Sequence, residues 1–263
     1  MSRSYPIGIF DSGVGGLTVM KEIMHALPNE NLIYFGDTAR VPYGEKSPET
    51  ILRYSLESTN FLLQQKVKAI VVACNTATAC ALDELKKMDV PLIGVIEPGV
   101  EKALEIGKKI AVLGTRATIN SGIYEREILK RNPKASVISI ACPLLVPLVE
   151  ENFVSHAATS LILEEYLKSL HIESVDTVLL GCTHYPLLAH LIEEELGPDK
   201  TVINSAMACA EKLRELLHVR DLSNQDNSVP SRTFYVSDDP QKFQSLGREF
   251  LGMLISPTKI SLS

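Results

Sequence analysis

The sequence predicts an α/β protein of two pseudosymmetric lobes, each a mostly parallel sheet flanked by helices, with the active site between the lobes. Three observations carry that prediction. Short β-rich runs alternate with longer stretches of helical spacing. Several of the runs are apolar on both faces, as strands covered by helices on either side must be. The second half of the chain then repeats the scheme of the first at a nearly constant offset, the trace a duplicated lobe leaves.

In order along the chain, residues 7–10, 32–35, 69–72 and 92–95 read as strands, with helical patterns at 16–27, 47–65 and 76–87 between them. The second half gives strands at 110–113, 137–140, 177–180 and 201–203 and helical patterns at 120–131 and 155–170. Ile7-Gly8-Ile9-Phe10-Asp11-Ser12 aligns with Ile110-Ala111-Val112-Leu113-Gly114-Thr115 as equivalent starts. The seam is expected near Glu97-Pro98-Gly99, where proline and glycine interrupt the pattern. A helical stretch at 211–217 then carries the chain back, so the lobes are read as 1–98 with 211–263, and 99–210. Residues 222–231 are polar and aperiodic, the pattern of a mobile loop. Residues 233–236 read as an edge strand, 240–254 as a last amphipathic helix, and the final residues as frayed.

Composition narrows the function classes. At 263 residues the chain is near the size at which single cores split into lobes. With 26 basic and 32 acidic side chains it carries a formal charge of −6, and no basic cluster exceeds a pair such as Lys86-Lys87. Binding to nucleic acid is therefore not expected. The five cysteines are odd in number and irregularly spaced, which makes neither a disulfide framework nor a structural metal site. Met1-Ser2-Arg3-Ser4-Tyr5-Pro6 passes straight into a strand-like run, without the pattern of a secretory signal, and no apolar stretch approaches the roughly 20 residues that span a bilayer. The cytoplasm is the expected compartment, and no membrane partner is expected.

Two cysteines sit in matched settings. Cys74 ends Ala69-Ile70-Val71-Val72-Ala73, and Cys182 ends Thr177-Val178-Leu179-Leu180-Gly181. Small polar residues follow each, and then a helix-like stretch. Exposed backbone N–H groups at a helix start favour a thiolate, so both thiols are expected to have lowered pKa values. Either cysteine alone reads as a core filler; as a matched pair, they could face one ligand from opposite sides and move a proton between the two faces of a carbon. Ligands of open α/β sheets bind beyond the carboxyl ends of strands. There the first strand gives Asp11-Ser12-Gly13-Val14-Gly15-Gly16, a turn with neither the dinucleotide Gly-x-Gly-x-x-Gly order nor a P-loop ending. It reads equally as a ligand-facing turn and as a tight connection capped by Asp11.

Four motifs in order resemble the glutamate racemases: Phe10-Asp11-Ser12-Gly13-Val14-Gly15-Gly16-Leu17; Gly36-Asp37 with Pro42-Tyr43-Gly44; Ala73-Cys74-Asn75-Thr76-Ala77; and Gly181-Cys182-Thr183-His184-Tyr185-Pro186. The resemblance implies a cofactor-independent 1,1-proton transfer between L- and D-glutamate, supplying D-glutamate for peptidoglycan. It makes Cys74 the base for D-glutamate and Cys182 the base for L-glutamate, each assisted by a neighbour, Asp11 and His184 respectively. Glu150 of Pro147-Leu148-Val149-Glu150 is implied as a further acid beside His184, with the adjacent Glu151 as competitor. Ser12, Tyr43, Gly44, Asn75, Thr76 and Thr183 are implied to bind the amino acid, with Thr115 and Thr118 near its carboxylates. Backbone N–H groups at helix starts suit such an anion without an arginine clamp. Cys80, Cys142 and Cys209 have no matched partner and read as packing residues. A homodimer is expected by analogy. Two rival functions are an aspartate or other two-cysteine racemase of the same superfamily and a regulatory role in binding DNA gyrase. One departure stands out: Ile203-Asn204-Ser205-Ala206 replaces the usual acid after the last strand of the second lobe.

Overall fold

The computed structural model describes residues 2–172, 174–226 and 228–262. The chain opens with β1 (Ile7–Asp11), α1 (Leu17–Ala26) and β2 (Leu32–Gly36), then two short 3-10 turns at Thr38–Arg40 and Tyr43–Glu45. It continues through α2 (Pro48–Gln64), β3 (Ala69–Val72), α3 (Asn75–Leu85), β4 (Leu92–Gly94) and α4 (Ile96–Ile106). The second series is β5 (Lys109–Gly114), α5 (Arg116–Asn120), α6 (Ile123–Arg131), β6 (Ser136–Ala141), α7 (Leu145–Glu150), α8 (Ala157–Ile172) and β7 (Thr177–Gly181). After a 3-10 turn at Tyr185–Leu188 come α9 (Ala189–Leu196), β8 (Thr201–Asn204) and α10 (Ser205–Val219). The chain closes with β9 (Arg232–Val236), α11 (Pro240–Leu251) and β10 (Thr258–Lys259).

Among the described residues the strands form two sheets, ordered β10-β9-β2-β1-β3-β4 and β6-β5-β7-β8, and every pairing is parallel. Within them, β2-β1-β3-β4 and β6-β5-β7-β8 share one order, so the duplication read from the sequence is also a duplication of topology. The inner strands β1, β3 and β7 are buried along their whole length, whereas β6, at a sheet edge, is half-buried. One apolar cluster runs from Ile9 and Val71 of the first sheet, through Leu213 and Leu217 of α10, to Leu113 and Leu180 of the second. A further cluster under α2 joins Phe10, Phe35, Ile51 and Leu62.

Local chemistry sets the helix ends. The Ser47 hydroxyl accepts the Thr50 N–H while Pro48 opens α2, and Asn204 Oδ1 accepts the Ala206 N–H at 2.9 Å to cap α10. Asn204 thus fills the capping role that an acid would also fill. Gly252, at φ 76°, ends α11 in the left-handed region that glycine adopts without a Cβ penalty.

Five expectations need correction. Glu97-Pro98-Gly99 is no break: it forms the first turn of α4, where a proline forfeits no hydrogen bond. The helix expected at 211–217 begins at Ser205 and packs on both α1 and α4, joining the two series. The strand at 232–236 is not an edge, because β10 pairs with it, Thr258 beside Tyr235; the same pairing orders part of the tail expected to fray, of which Ser263 lies outside the described residues. The segment expected to be a mobile loop is tied to the turn before β2: the Asn224 N–H donates to Glu30 Oε1 at 2.8 Å and the Ser231 N–H to Asn31 Oδ1 at 2.8 Å. Asn227 of that segment lies outside the described residues. Among the described residues no helix is long and apolar enough to cross a membrane.

Candidate active site

In each sheet the strand order reverses between the first strand of the series and the third, and a crevice opens beyond their carboxyl ends. In the first sheet β1 and β3 carry Asp11-Ser12 and Cys74 to that crevice; in the second, β5 and β7 carry Thr115 and Cys182. Both crevices open on one cavity of about 560 Å³. Its walls include Ser12, Tyr43, Gly44, Cys74, Asn75 and Thr76 from the first series and Thr115, Glu150, Cys182, Thr183 and His184 from the second. The two thiols therefore share a cavity and enter it from equivalent strand ends.

Two of the expected residues stand behind the wall. Asp11 is fully buried; its Oδ2 accepts the Gly13 N–H at 2.9 Å, and Thr183 Oγ1 donates to its Oδ1 at 3.3 Å. Asp11 does not cap α1, whose N-cap is Gly16. Thr118 lies under Thr76 and Thr115, and the three hydroxyls are mutually bonded at 2.9, 3.1 and 3.0 Å.

The two thiols differ electrostatically. Cys74 is the N-cap of α3: its sulfur accepts the Ala77 N–H at 3.4 Å, and its S–H faces Ser12 Oγ at 3.8 Å. Burial, reinforced by the negative charge of Asp11, outweighs those donors and pushes the thiol up to about 12. The expected lowering by the helix start therefore does not prevail at Cys74. Burial also raises the Asp11 carboxyl itself, against the opposing pull of His184.

Cys182 is followed by a turn and a 3-10 segment, with α9 starting only at Ala189, so its nearest positive charge is a side chain. His184 Nδ1 lies 3.9 Å from Cys182 Sγ, and His184 Nε2 lies 3.0 Å from Glu150 Oε1. Burial works against the imidazolium, but Cys182 and Glu150 outweigh it and carry the His184 pKa up to about 10. Burial likewise works against the Glu150 carboxylate, yet His184 and Lys242 hold it below the usual range. Glu151 instead reaches Lys242 Nζ at 3.7 Å, so the acid beside His184 is Glu150.

The glycine-rich turn serves close approach between the two halves. A Cβ on Gly15 would stand 2.5 Å from His184 Nδ1 and closer still to Thr183 Oγ1; one on Gly44 would stand 2.7 Å from Thr115 Cβ. Several supporting side chains had no role assigned from the sequence: Asp37 entered only as part of a motif, and Phe250 did not enter at all. The Tyr43 hydroxyl donates to Asp37, whose carboxylate also takes Arg40 Nε at 2.6 Å and the Ser237 hydroxyl at 2.8 Å, fixing the loop that carries Tyr43. Asp37 follows β2, so inspecting every strand end would have found it. Phe250 of α11 meets the His184 ring edge to face at 5.5 Å. The outer cavity wall is apolar, with Leu144, Val146, Pro147 and Tyr166. No local pattern marks Phe250 or that wall, because each is brought in from a distant element.

Duplicated α/β halves with one thiol from each on a common cavity define a class of enzyme, and residues 7–213 match the model of the Asp/Glu/Hydantoin racemases: the chain belongs to that family. It is 48% identical over 251 residues to a glutamate racemase of Syntrophus aciditrophicus, covering 94% of this chain and 93% of the relative. A glutamate racemase structure from Bacillus anthracis superposes with a TM-score of 0.96 at 39% identity, covering 99% of this chain and 98% of that one. A glutamate racemase from Francisella tularensis, solved in complex with D-glutamate, does so with a TM-score of 0.94 at 41% identity and the same coverage, 99% and 98%.

Proposed function

We propose that the chain interconverts L- and D-glutamate by a cofactor-independent, two-base proton transfer at the α-carbon. One observation carries the reading: Cys74 and Cys182 open on a single cavity from equivalent strand ends of the two halves. In the L-to-D direction Cys182 takes the α-proton and the Cys74 thiol returns one to the opposite face; in the D-to-L direction the roles exchange. His184, cationic at neutral pH and held by Glu150, steadies negative charge on Cys182. Among the described residues no cation stands beside Cys74, so its turn as base needs positive charge from the ligand. The α-ammonium of the amino acid supplies that charge on the side of the cavity backed by Asp11.

The α-proton is far less acidic than a thiol, so most of the barrier is lowered by aimed donors around the substrate and by exclusion of water. Ser12, Asn75, Thr76, Thr115 and Thr183, with Tyr43 and Gly44, hold the substrate, and Thr118 orients the hydroxyls of Thr76 and Thr115. The two lobes of this reading are 1–98 with 211–263, and 99–210, each contributing one base. The resemblance extends the proposal to a homodimer working in the cytoplasm, its D-glutamate going to peptidoglycan.

Polarimetry of each enantiomer of glutamate and aspartate tests the substrate. Glutamate is expected to racemise with no added pyridoxal phosphate, and aspartate, one methylene shorter, roughly 10–200-fold less efficiently. A preference for aspartate, or a need for added pyridoxal phosphate, would overturn the reading.

A further inference from the structure

We infer that Tyr124 is a positioning residue for the substrate: from the second half of the molecule it fixes the amide of Asn75 so that its N–H₂ donors face the cavity. The inference deepens the racemase reading and rests on it. Tyr124 stands in the first turn of α6 and is 2% exposed, its ring against the end of β7, where a Cβ on Gly181 would lie 3.1 Å from Tyr124 Cε2. A side chain at Gly181, one residue before Cys182, would press on this ring as well as on the Leu113 carbonyl oxygen at 2.8 Å. The hydroxyl crosses between the halves and donates to Asn75 Oδ1 at 2.6 Å. Asn75 directly follows Cys74 and lines the cavity.

The direction of this bond follows from proton accounting. Among the described residues the Tyr124 hydroxyl has no other acceptor, so its buried proton is satisfied only by Asn75 Oδ1. With the amide reversed, Nδ2 would donate to the hydroxyl, the phenolic proton would be orphaned, and a carbonyl oxygen would face an anionic ligand. The observed orientation avoids both costs. It leaves Nδ2, which has no protein acceptor among the described residues, free for a carboxylate. Because the donor comes from α6 and the acceptor from α3, the bond forms only when the two halves are correctly apposed. The amide is therefore set for binding by the same approach that brings the two thiols to one cavity.

The test is a double-mutant cycle in the full chain between Tyr124→Phe and Asn75→Ala, read by kcat and KM for both enantiomers and by calorimetric Kd for D-glutamate. Tyr124→Phe is expected to raise KM and Kd about tenfold, as loss of an oriented hydrogen bond to a charged group does, with kcat changed less than about threefold. In the Asn75→Ala background the same substitution is expected to change neither KM nor Kd. Equal effects in both backgrounds, or a parent-like KM and Kd in Tyr124→Phe, would overturn the inference while leaving the racemase reading intact. A drop in kcat with unchanged KM would overturn it too, by assigning Tyr124 to the chemical step. A parent chain that neither racemises nor binds glutamate would overturn the racemase reading, and this inference with it.

Discussion

Cys74 and Cys182 occupy equivalent positions in a duplicated fold yet face opposite charges, Asp11 in one case and His184 in the other. The matched setting of the two thiols was legible in the sequence, because both follow an apolar strand and precede small polar residues. Their electrostatic difference was not: the helix-start argument treats the two alike, whereas Asp11 of β1 stands beside one thiol and His184, held by Glu150 of α7, beside the other. The His184 pKa gives a pH prediction. It is raised from about 6.5 unfolded to about 10 folded, so its stabilising contribution is complete below the unfolded value and is lost progressively as pH rises towards the folded one. His184→Asn is therefore expected to cost about 3 kcal/mol at pH 7, as breaking a buried ion pair does. The gap between variant and parent in urea midpoint should narrow steadily from pH 7 to pH 10. A gap independent of pH would mean that His184 is held neutral.

At the level of elements, strands buried on both faces were the most legible part of the fold, since their apolar runs have no other use in a chain of this composition. What escaped was set by end chemistry or by tertiary pairing. Helix α4 was hidden because Pro98 and Gly99 read as a break when they lie in a helical first turn. Strand β10, of two residues, exists only because β9 offers it an edge. The turn after β1 was legible as special, but its reason is steric: Gly15 lets Thr183 and His184 approach β1 and α1. Gly15→Ala puts a methyl group where the His184 ring now stands, so the imidazole must move by a few tenths of an ångström or more. Activity is expected to fall about 100-fold, as misplacement of a catalytic group does, with a loss in thermal stability of only about 2 kcal/mol, the cost of local overpacking. A variant with parent-like kcat/KM would show that the close approach at Gly15 is not needed for catalysis.

On the scale of the whole molecule, the two α/β series are bound together by α10, which packs on α1 and α4, and by α11, which brings Phe250 to His184. The return of the chain to the first sheet was legible as a late strand-and-helix pattern; its contact with the site was not, because nothing local distinguishes Phe250 from any core aromatic. The arrangement brings two thiols, one from each series, to a shared cavity. The measurement that tests this most directly is glutamate racemisation in heavy water by the parent, Cys74→Ala and Cys182→Ala, following deuterium at the α-carbon. The parent is expected to place solvent deuterium on the enantiomer it forms, and each variant to lose racemisation in both directions by at least about 1,000-fold, the scale of a missing general acid or base. Racemisation at the parent rate by either variant would contradict the two-thiol account.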